Sequence, residues 1–210
     1  MPATLVVRAE VVDITRDTPQ STDAFLVDTC VWFWMTYTRA SSAPSRGPKR
    51  YQTKQYPSYT KAALSAGSRV TQSGLNFAEL AHRIECTEFD IYNALGVNVC
   101  SDMKKYRHDL SAERNNVLAE IEAAWAQVTQ LSSPLTLTID SSTAISALAC
   151  LHSAQVDGYD SLMLECMKTN GVTQIVTDDG DFATVAGIRV FTANGNVISA
   201  ASRQQKLIVR

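Results

Sequence analysis

Short apolar runs alternate with longer segments of helical periodicity along most of the chain. The apolar runs are rich in β-branched residues, which favour strands. They predict strands at residues 4–14, 24–27, 135–139, 174–177 and 188–192. The run at 24–27 is apolar throughout and ends at Asp28, which is typical of a buried strand in a parallel sheet.

The helical segments fill the intervals between these strands. Apolar residues three and four positions apart predict helices at 31–37, 57–66, 76–95, 102–130, 142–152 and 159–169, with a short helix after Asp181. Asn115 and Asn116 mark a point where the longest helix could break, and the polar segment 39–54 is predicted to be irregular. Strands that alternate with helices predict an α/β fold, a three-layer α/β/α sandwich around a mainly parallel central sheet.

The length of 210 residues fits one domain with additions. We expect an N-terminal extension at 1–23 with an extra strand, a main domain at 24–196 with an insertion at about 38–70, and a C-terminal tail at 197–210. No run approaches the roughly 18 apolar residues of a membrane span, and the start lacks an export signal. Five cysteines without a C-x-x-C pair argue against disulfides and structural zinc. The sequence therefore predicts a cytoplasmic protein that does not enter a membrane.

The insertion is strongly basic, although the formal net charge of the chain is -2. Between Asp28 and Glu79 there are seven Lys or Arg residues and no acid. Because these residues neutralise phosphates, the segment predicts a nucleic-acid surface, with a solvated loop as the alternative. The candidate contacts are Arg39, Arg46, Lys49, Arg50 and Lys54. The tyrosines of this region could stack on bases or pack the insertion onto the domain; they are Tyr37, Tyr51, Tyr56 and Tyr59.

Four acids follow predicted strands or begin predicted helices. Asp28 and Asp179 come after strands, whereas Glu79 and Asp160 lie in the first turns of helices. The carboxyl ends of parallel strands meet at one edge of a sheet, so we expect these carboxylates to converge there. Each acid also has a local explanation as a helix cap or part of a turn, and Asn76 with Glu79 has the spacing of a capping box.

Clustered carboxylates repel one another unless cations neutralise them. Two of them about 4 Å apart repel by roughly 4 kcal/mol at an effective dielectric of 20. Oxygen ligands suit Mg²⁺ or Mn²⁺, and two divalent ions would balance four carboxylates. Sites with two metals typically catalyse in-line displacement at phosphorus. The acids therefore predict metal-dependent hydrolysis of phosphodiesters.

Several short segments resemble, in order, the motifs of PIN-domain nucleases. They are Phe25-Leu26-Val27-Asp28-Thr29, Leu75-Asn76-Phe77-Ala78-Glu79-Leu80-Ala81, Gly158-Tyr159-Asp160-Ser161-Leu162, and Ile175-Val176-Thr177-Asp178-Asp179-Gly180-Asp181-Phe182 followed by Gly187-Ile188-Arg189-Val190. The resemblance implies an α/β/α fold and an Mg²⁺- or Mn²⁺-dependent endoribonuclease. It further implies that Asp28, Glu79, Asp160 and Asp179 bind the metal and that the Thr177 hydroxyl orients the site.

The resemblance also implies partners. Many bacterial PIN proteins are toxins of type II toxin–antitoxin pairs, similar to VapC, so an RNA substrate, an antitoxin protein and a homodimer are expected. Other members process RNA without an antitoxin. The long helix at 102–130, which carries Trp125, is the candidate dimer or partner surface, and core packing is the alternative explanation of its apolar stripe.

Some residues depart from the family pattern. Cys30 stands where the family commonly has Asn, and a thiol cannot reproduce the hydrogen bonds of an amide. Asp157 and Asp181 are further acids that could support the metal ligands; the alternatives are solvent exposure for Asp157 and a helix start at Asp181.

Two other functions are weighed against the nuclease. A PIN-like scaffold that binds RNA or protein without cleaving is the second hypothesis. A phosphatase of the haloacid-dehalogenase type is a third, and Asp28-Thr29-Cys30 lacks the second Asp that this chemistry needs.

Overall fold

One parallel β-sheet forms the centre of the protein. The computed structural model describes residues 5–42, 47–96 and 99–210, and in these ranges the sheet has seven strands. They are β1 (Glu10–Asp13), β2 (Ala24–Val27), β3 (Arg69–Gln72), β4 (Ser133–Pro134), β5 (Gln174–Val176), β6 (Arg189–Thr192) and β7 (Leu207–Ile208). Their order across the sheet is β4-β3-β2-β5-β6-β1-β7, and every pairing is parallel.

Helices cover both faces of this sheet. They are α1 (Thr29–Thr36), α2 (Arg50–Ser65), α3 (Gly74–Ala94), α4 (Met103–Asp109), α5 (Ser111–Leu131), α6 (Ser141–Ser153), α7 (Gly158–Thr169) and α8 (Gly195–Arg203), with a 3-10 helix at Asp181–Thr184. Alternate residues of β2 enter opposite cores, because Phe25 packs with Trp32 on one face and Leu26 packs with Met163 on the other. The predicted three-layer α/β/α sandwich is confirmed.

Two of the predicted strands are shorter than expected or absent, because their backbone groups do not pair with a neighbouring strand. The strand expected at 4–14 begins at Glu10, because the N–H groups of Arg8 and Ala9 both donate to the Ala183 carbonyl of the 3-10 helix. The strand expected at 135–139 is wrong. Pairing stops after Ser133–Pro134 and one bond from the Leu135 N–H to the Gln72 carbonyl, and Leu135 then enters the core.

The basic insertion is more ordered than its composition suggests. The prediction of irregular chain through residue 54 is wrong from residue 50 onward, because α2 begins at Arg50 and includes Pro57 in its interior. Buried Tyr56 and Tyr59 hold this helix against the sheet, so tertiary packing outweighs the unfavourable proline. The same insertion supplies β3, which pairs with β2. Arg46 lies outside the described residues.

The long helix predicted at 102–130 is two helices. It breaks at Leu110, whose backbone is non-helical, rather than at Asn115 and Asn116. The stripe on α5 faces the core, and the Trp125 ring packs edge-on against Phe77 with their centroids 5.2 Å apart. Core packing therefore accounts for the buried part of this stripe, Trp125 is only partly buried, and a dimer or partner surface on this helix stays a prediction.

Both ends of the described chain join the sheet. β1 pairs with β6 and with β7, so residues before 24 and after 196 contribute strands to the same domain. The Arg210 guanidinium pairs with Asp17 at 2.7 Å and with Asp23 at 2.6 Å. Among the described helices, none has the length and apolar character needed to cross a bilayer.

Candidate functional site

The carboxyl ends of β2 and β5 lie side by side at one edge of the sheet. Val27 is in register with Val176, and the Asp28 N–H donates to the Val176 carbonyl at 3.1 Å. Asp28 therefore leaves β2 beside the point where Thr177 leaves β5. This pairing explains why acids far apart in the sequence meet at one place, as the strand pattern predicted.

The Asp28 carboxylate is buried and held in one orientation. The Thr177 hydroxyl donates to Asp28 Oδ2 at 2.5 Å, and the Cys30 thiol donates to the same oxygen at 3.0 Å. Thr177 Oγ1 also accepts the Asp179 N–H at 2.9 Å, so one hydroxyl connects the two acids. Cys30 thus supplies a hydrogen-bond donor to Asp28.

Among the residues that the structure describes, three carboxylates, one partly buried and two exposed, form a group that could hold a metal ion. One oxygen each from Asp160, Asp179 and Asp181 lies within 4.8 Å of the others. Asp181 begins the 3-10 helix as expected, and its N–H donates to Asp179 Oδ1 at 2.9 Å. Asp157 is exposed and caps α7 by accepting the Asp160 N–H at 2.9 Å, which fixes the first turn of that helix. Asp181 thus lies in the cluster, and Asp157 positions Asp160.

Glu79 is not part of a capping box. The cap of α3 is Ser73, whose reciprocal partner is Asn76, so the predicted pairing of Asn76 with Glu79 is wrong. The buried Asn76 amide instead donates to Thr29 Oγ1 at 3.0 Å, which ties α3 to the start of α1. Glu79 lies one turn further along and has Arg83 at 3.8 Å as its ionic neighbour.

The pKa values show that the predicted acids share one electrostatic environment. Burial, followed by the charges of Asp28, Asp157, Asp179 and Glu79, raises the pKa of Asp160 to about 8. Burial and then the charge of Asp28 raise the pKa of Glu79, against the hydrogen bond from Thr29 and the charge of Arg83. Burial also raises the pKa of Asp179, with Asp28 among the contributing charges.

This environment fits a divalent cation. The donors are carboxylate oxygens, which suit the hard ions Mg²⁺ and Mn²⁺ rather than soft metals. Like charges gathered at a partly buried edge raise each other's pKa values, and a bound cation would remove that penalty. The group can therefore hold a metal ion; Asp160, Asp179 and Asp181 are closest together, with Asp28 and Glu79 adjoining them.

Asp178 anchors the basic insertion to the site. Its carboxylate accepts hydrogen bonds from the Tyr51 hydroxyl at 3.0 Å, the Gln52 amide at 2.5 Å and the Tyr56 hydroxyl at 2.6 Å. The sequence pattern assigns Asp178 no role beyond its place in the segment before Asp179; the tyrosines spaced along α2 were the available signal. The packing alternative holds for the tyrosines, since Tyr37, Tyr51, Tyr56 and Tyr59 each donate to a carboxylate.

The basic residues of the insertion separate into two groups. Lys49, Arg50 and Lys54 are exposed at the start of α2, next to the residues that contact Asp178. Arg39 instead pairs with the buried carboxylate of Glu88 at 2.6 Å and secures the chain after α1. The exposed group is therefore the part of the insertion that is free to meet a polyanion near the acids.

Comparison of the sequence with protein-family models finds no match, and comparison with curated proteins finds none either.

Proposed function

We propose that this protein is a metal-dependent endoribonuclease that hydrolyses RNA phosphodiester bonds at the acidic edge of the sheet. The observation that carries the proposal is the convergence of Asp160, Asp179 and Asp181 within 4.8 Å. Asp28 and Glu79 add to the same field, because their charges raise the pKa of Asp160. Asp160 is partly buried and Asp179 and Asp181 are exposed, yet the pKa values of all three carboxyl groups are raised, which is typical of acids gathered at a functional site.

The proposed metal ligands are Asp28, Glu79, Asp160 and Asp179, together with Asp181. A bound Mg²⁺ or Mn²⁺ would supply an activated water and would neutralise charge that develops on the phosphate. Thr177 and Cys30 hold Asp28 in orientation through their hydrogen bonds to Oδ2. Prearranged ligands lower the cost of reorganisation during the reaction, which is how this chain would contribute to the rate.

RNA is the proposed substrate because the acids lie beside a cationic surface. Gln52 and Tyr51 on α2 contact Asp178, and Lys49 and Arg50 precede them directly. A polyanion could therefore lie across α2 while one phosphate reaches the acids. The toxin role, the antitoxin and the homodimer that the resemblance implies stay predictions.

The proposal is tested by incubating the purified protein with end-labelled single-stranded and structured RNA in Mg²⁺, Mn²⁺ or EDTA. Defined internal cuts in the presence of metal, and none in EDTA, are the expected result. RNA binding without cleavage under every metal condition would instead identify a scaffold that does not cleave. Cleavage that continues undiminished in EDTA would contradict a metal-dependent site.

Replacing Lys49, Arg50 and Lys54 with Ala is expected to weaken RNA binding and reduce its salt dependence. Each phosphate contact with single-stranded RNA contributes about 0.7 to the slope of log K against log salt concentration, so the slope should fall by about 2. Binding titrations at several salt concentrations measure it. The matched control replaces Lys104, Lys105 and Arg203 with Ala. These residues are exposed and lie outside α2, so their replacement leaves the α2 surface intact. Equal slopes for the two triple variants would contradict the assignment of RNA binding to α2.

A further inference from the structure

We propose that Trp34 and Cys30 form a subsite that binds one base of the RNA beside the acidic cluster. An open cavity of about 290 Å³, closer to a surface depression than to an enclosed pocket, lies at this position and is lined by Cys30, Trp34, Asp178, Asp179 and Gly180. This inference rests on the proposed nuclease function, because the cavity borders Asp179. To a site otherwise made of acids, Trp34 would add a side chain that selects or positions the substrate.

The position of Trp34 follows from the start of α1. The helix begins directly after Asp28, and Cys30 and Trp34 are four residues apart, so they share one face of it. Trp32 and Phe33 are buried in the core, whereas Trp34 is only partly buried. The helix therefore directs one indole ring of its aromatic run toward the acidic edge.

Trp34 is supported from behind by a fixed side chain. Its ring lies with its centroid 5.4 Å from that of Tyr56 at an interplanar angle of 45°. The Tyr56 hydroxyl donates to Asp178 and accepts the Ala193 N–H at 2.9 Å, so its ring cannot move freely. A supported indole pays little conformational entropy when a ligand stacks on it.

The cavity chemistry favours a nucleobase. The lining includes the aromatic ring of Trp34 and the carboxylate of Asp179, one of the proposed metal ligands, so the matching ligand has a flat π-system attached to a phosphate. Pockets for small molecules typically measure roughly 300–1,000 Å³, and a cavity just below that range suits one base rather than a larger group. Stacking is tolerant of sequence because every base has a π-face.

The test measures RNA binding in an Asp160→Asn background, which is expected to bind without cutting. Trp34→Ala should weaken the affinity for a short single-stranded RNA by about tenfold, within the range measured for loss of one stacked base. Trp34→Phe should keep most of the affinity, because it retains an aromatic ring. RNA should quench the tryptophan fluorescence of the Trp125→Phe control but not of Trp34→Phe.

A series of RNAs with one abasic position completes the test. Loss of the base that stacks on Trp34 should weaken binding to the parent about tenfold and have little effect on Trp34→Ala, since the two changes remove the same contact. Equal affinities of Trp34→Ala and the parent, with quenching unchanged in Trp34→Phe, would overturn the subsite even if the wild-type protein cleaves RNA. If Trp34→Ala weakens RNA binding but the wild-type protein never cleaves RNA, the subsite is supported and the nuclease function is rejected.

Discussion

Asp179→Asn is expected to lower metal-dependent RNA cleavage about a hundredfold or more. The change removes a ligand charge from the group that Asp179 forms with Asp160 and Asp181. Loss of about 3 kcal/mol of transition-state stabilisation, a modest share of what a catalytic metal supplies, corresponds to this decrease. Asn is nearly isosteric and can still accept the Asp181 N–H, so the loop after β5 should keep its conformation.

Single-turnover cleavage rates in Mg²⁺ and Mn²⁺ measure this effect, and circular dichroism with thermal unfolding checks the fold. Asp109→Asn is the matched control, because Asp109 is exposed at the end of α4 and takes no part in the acidic group. Its cleavage rate should equal that of the wild-type protein. A wild-type rate in Asp179→Asn would remove Asp179 from the proposed ligands and with it the main support for the nuclease.

The central strands were predictable because their short apolar sequences fit only a strand that is buried on both faces. Phe25, Leu26 and Val27 are fully buried, and an uninterrupted apolar run of this length fits a strand with helices on both faces. β4 and β7 have only two residues each, which is too short to produce a periodic pattern. They form because β3 and β1 offer neighbouring backbone groups, so their existence depends on tertiary structure.

In the basic insertion, tertiary contacts produce a helix that the local sequence disfavours. Locally, Pro57 and the polar residues before it disfavour a helix, yet α2 forms because Tyr56 can bury its ring and donate to Asp178, 122 residues away. No local window of the sequence contains both partners. Helix propensity is a weak predictor where a contact of this kind compensates for it.

The candidate site was predictable where chain direction determined it. Asp28 and Asp179 follow neighbouring parallel strands, and this topology alone brings them together. The role of Cys30 was not predictable, because its thiol reaches Asp28 through the first turn of α1 and a thiol at this position has no distinctive sequence signal. The short helix at Asp181 was predictable, whereas the convergence of its carboxylate with Asp160 and Asp179 within 4.8 Å depends on the tertiary position of that 3-10 helix.

Without metal, raising the pH from 5 to 8 is expected to lower the stability of the protein. Burial and neighbouring acids raise the pKa of Asp160 to about 8, whereas the unfolded chain has an ordinary carboxyl group. Between these values the folded state binds more protons than the unfolded state, so the free energy of unfolding falls as pH rises and the loss is complete above the folded pKa. Because the group is partly solvated, we expect a loss of about 1–3 kcal/mol rather than the larger value that four pKa units alone would give.

Asp160→Asn should reverse this behaviour, since it replaces the most perturbed carboxylate with a neutral side chain of similar shape. In EDTA at pH 8 the variant should unfold at a higher temperature than the wild-type protein, by roughly 2–4 °C for each kcal/mol recovered, and its stability should depend less on pH. Mn²⁺ or Mg²⁺ should raise the unfolding temperature of the wild-type protein and have a smaller effect on the variant, because binding to the folded state alone stabilises it. Thermal unfolding across pH, with Asp109→Asn as control, measures both effects. A metal-free wild-type protein as stable at pH 8 as at pH 5, together with equal metal responses of wild type and variant, would mean that these carboxylates neither share one field nor hold a cation.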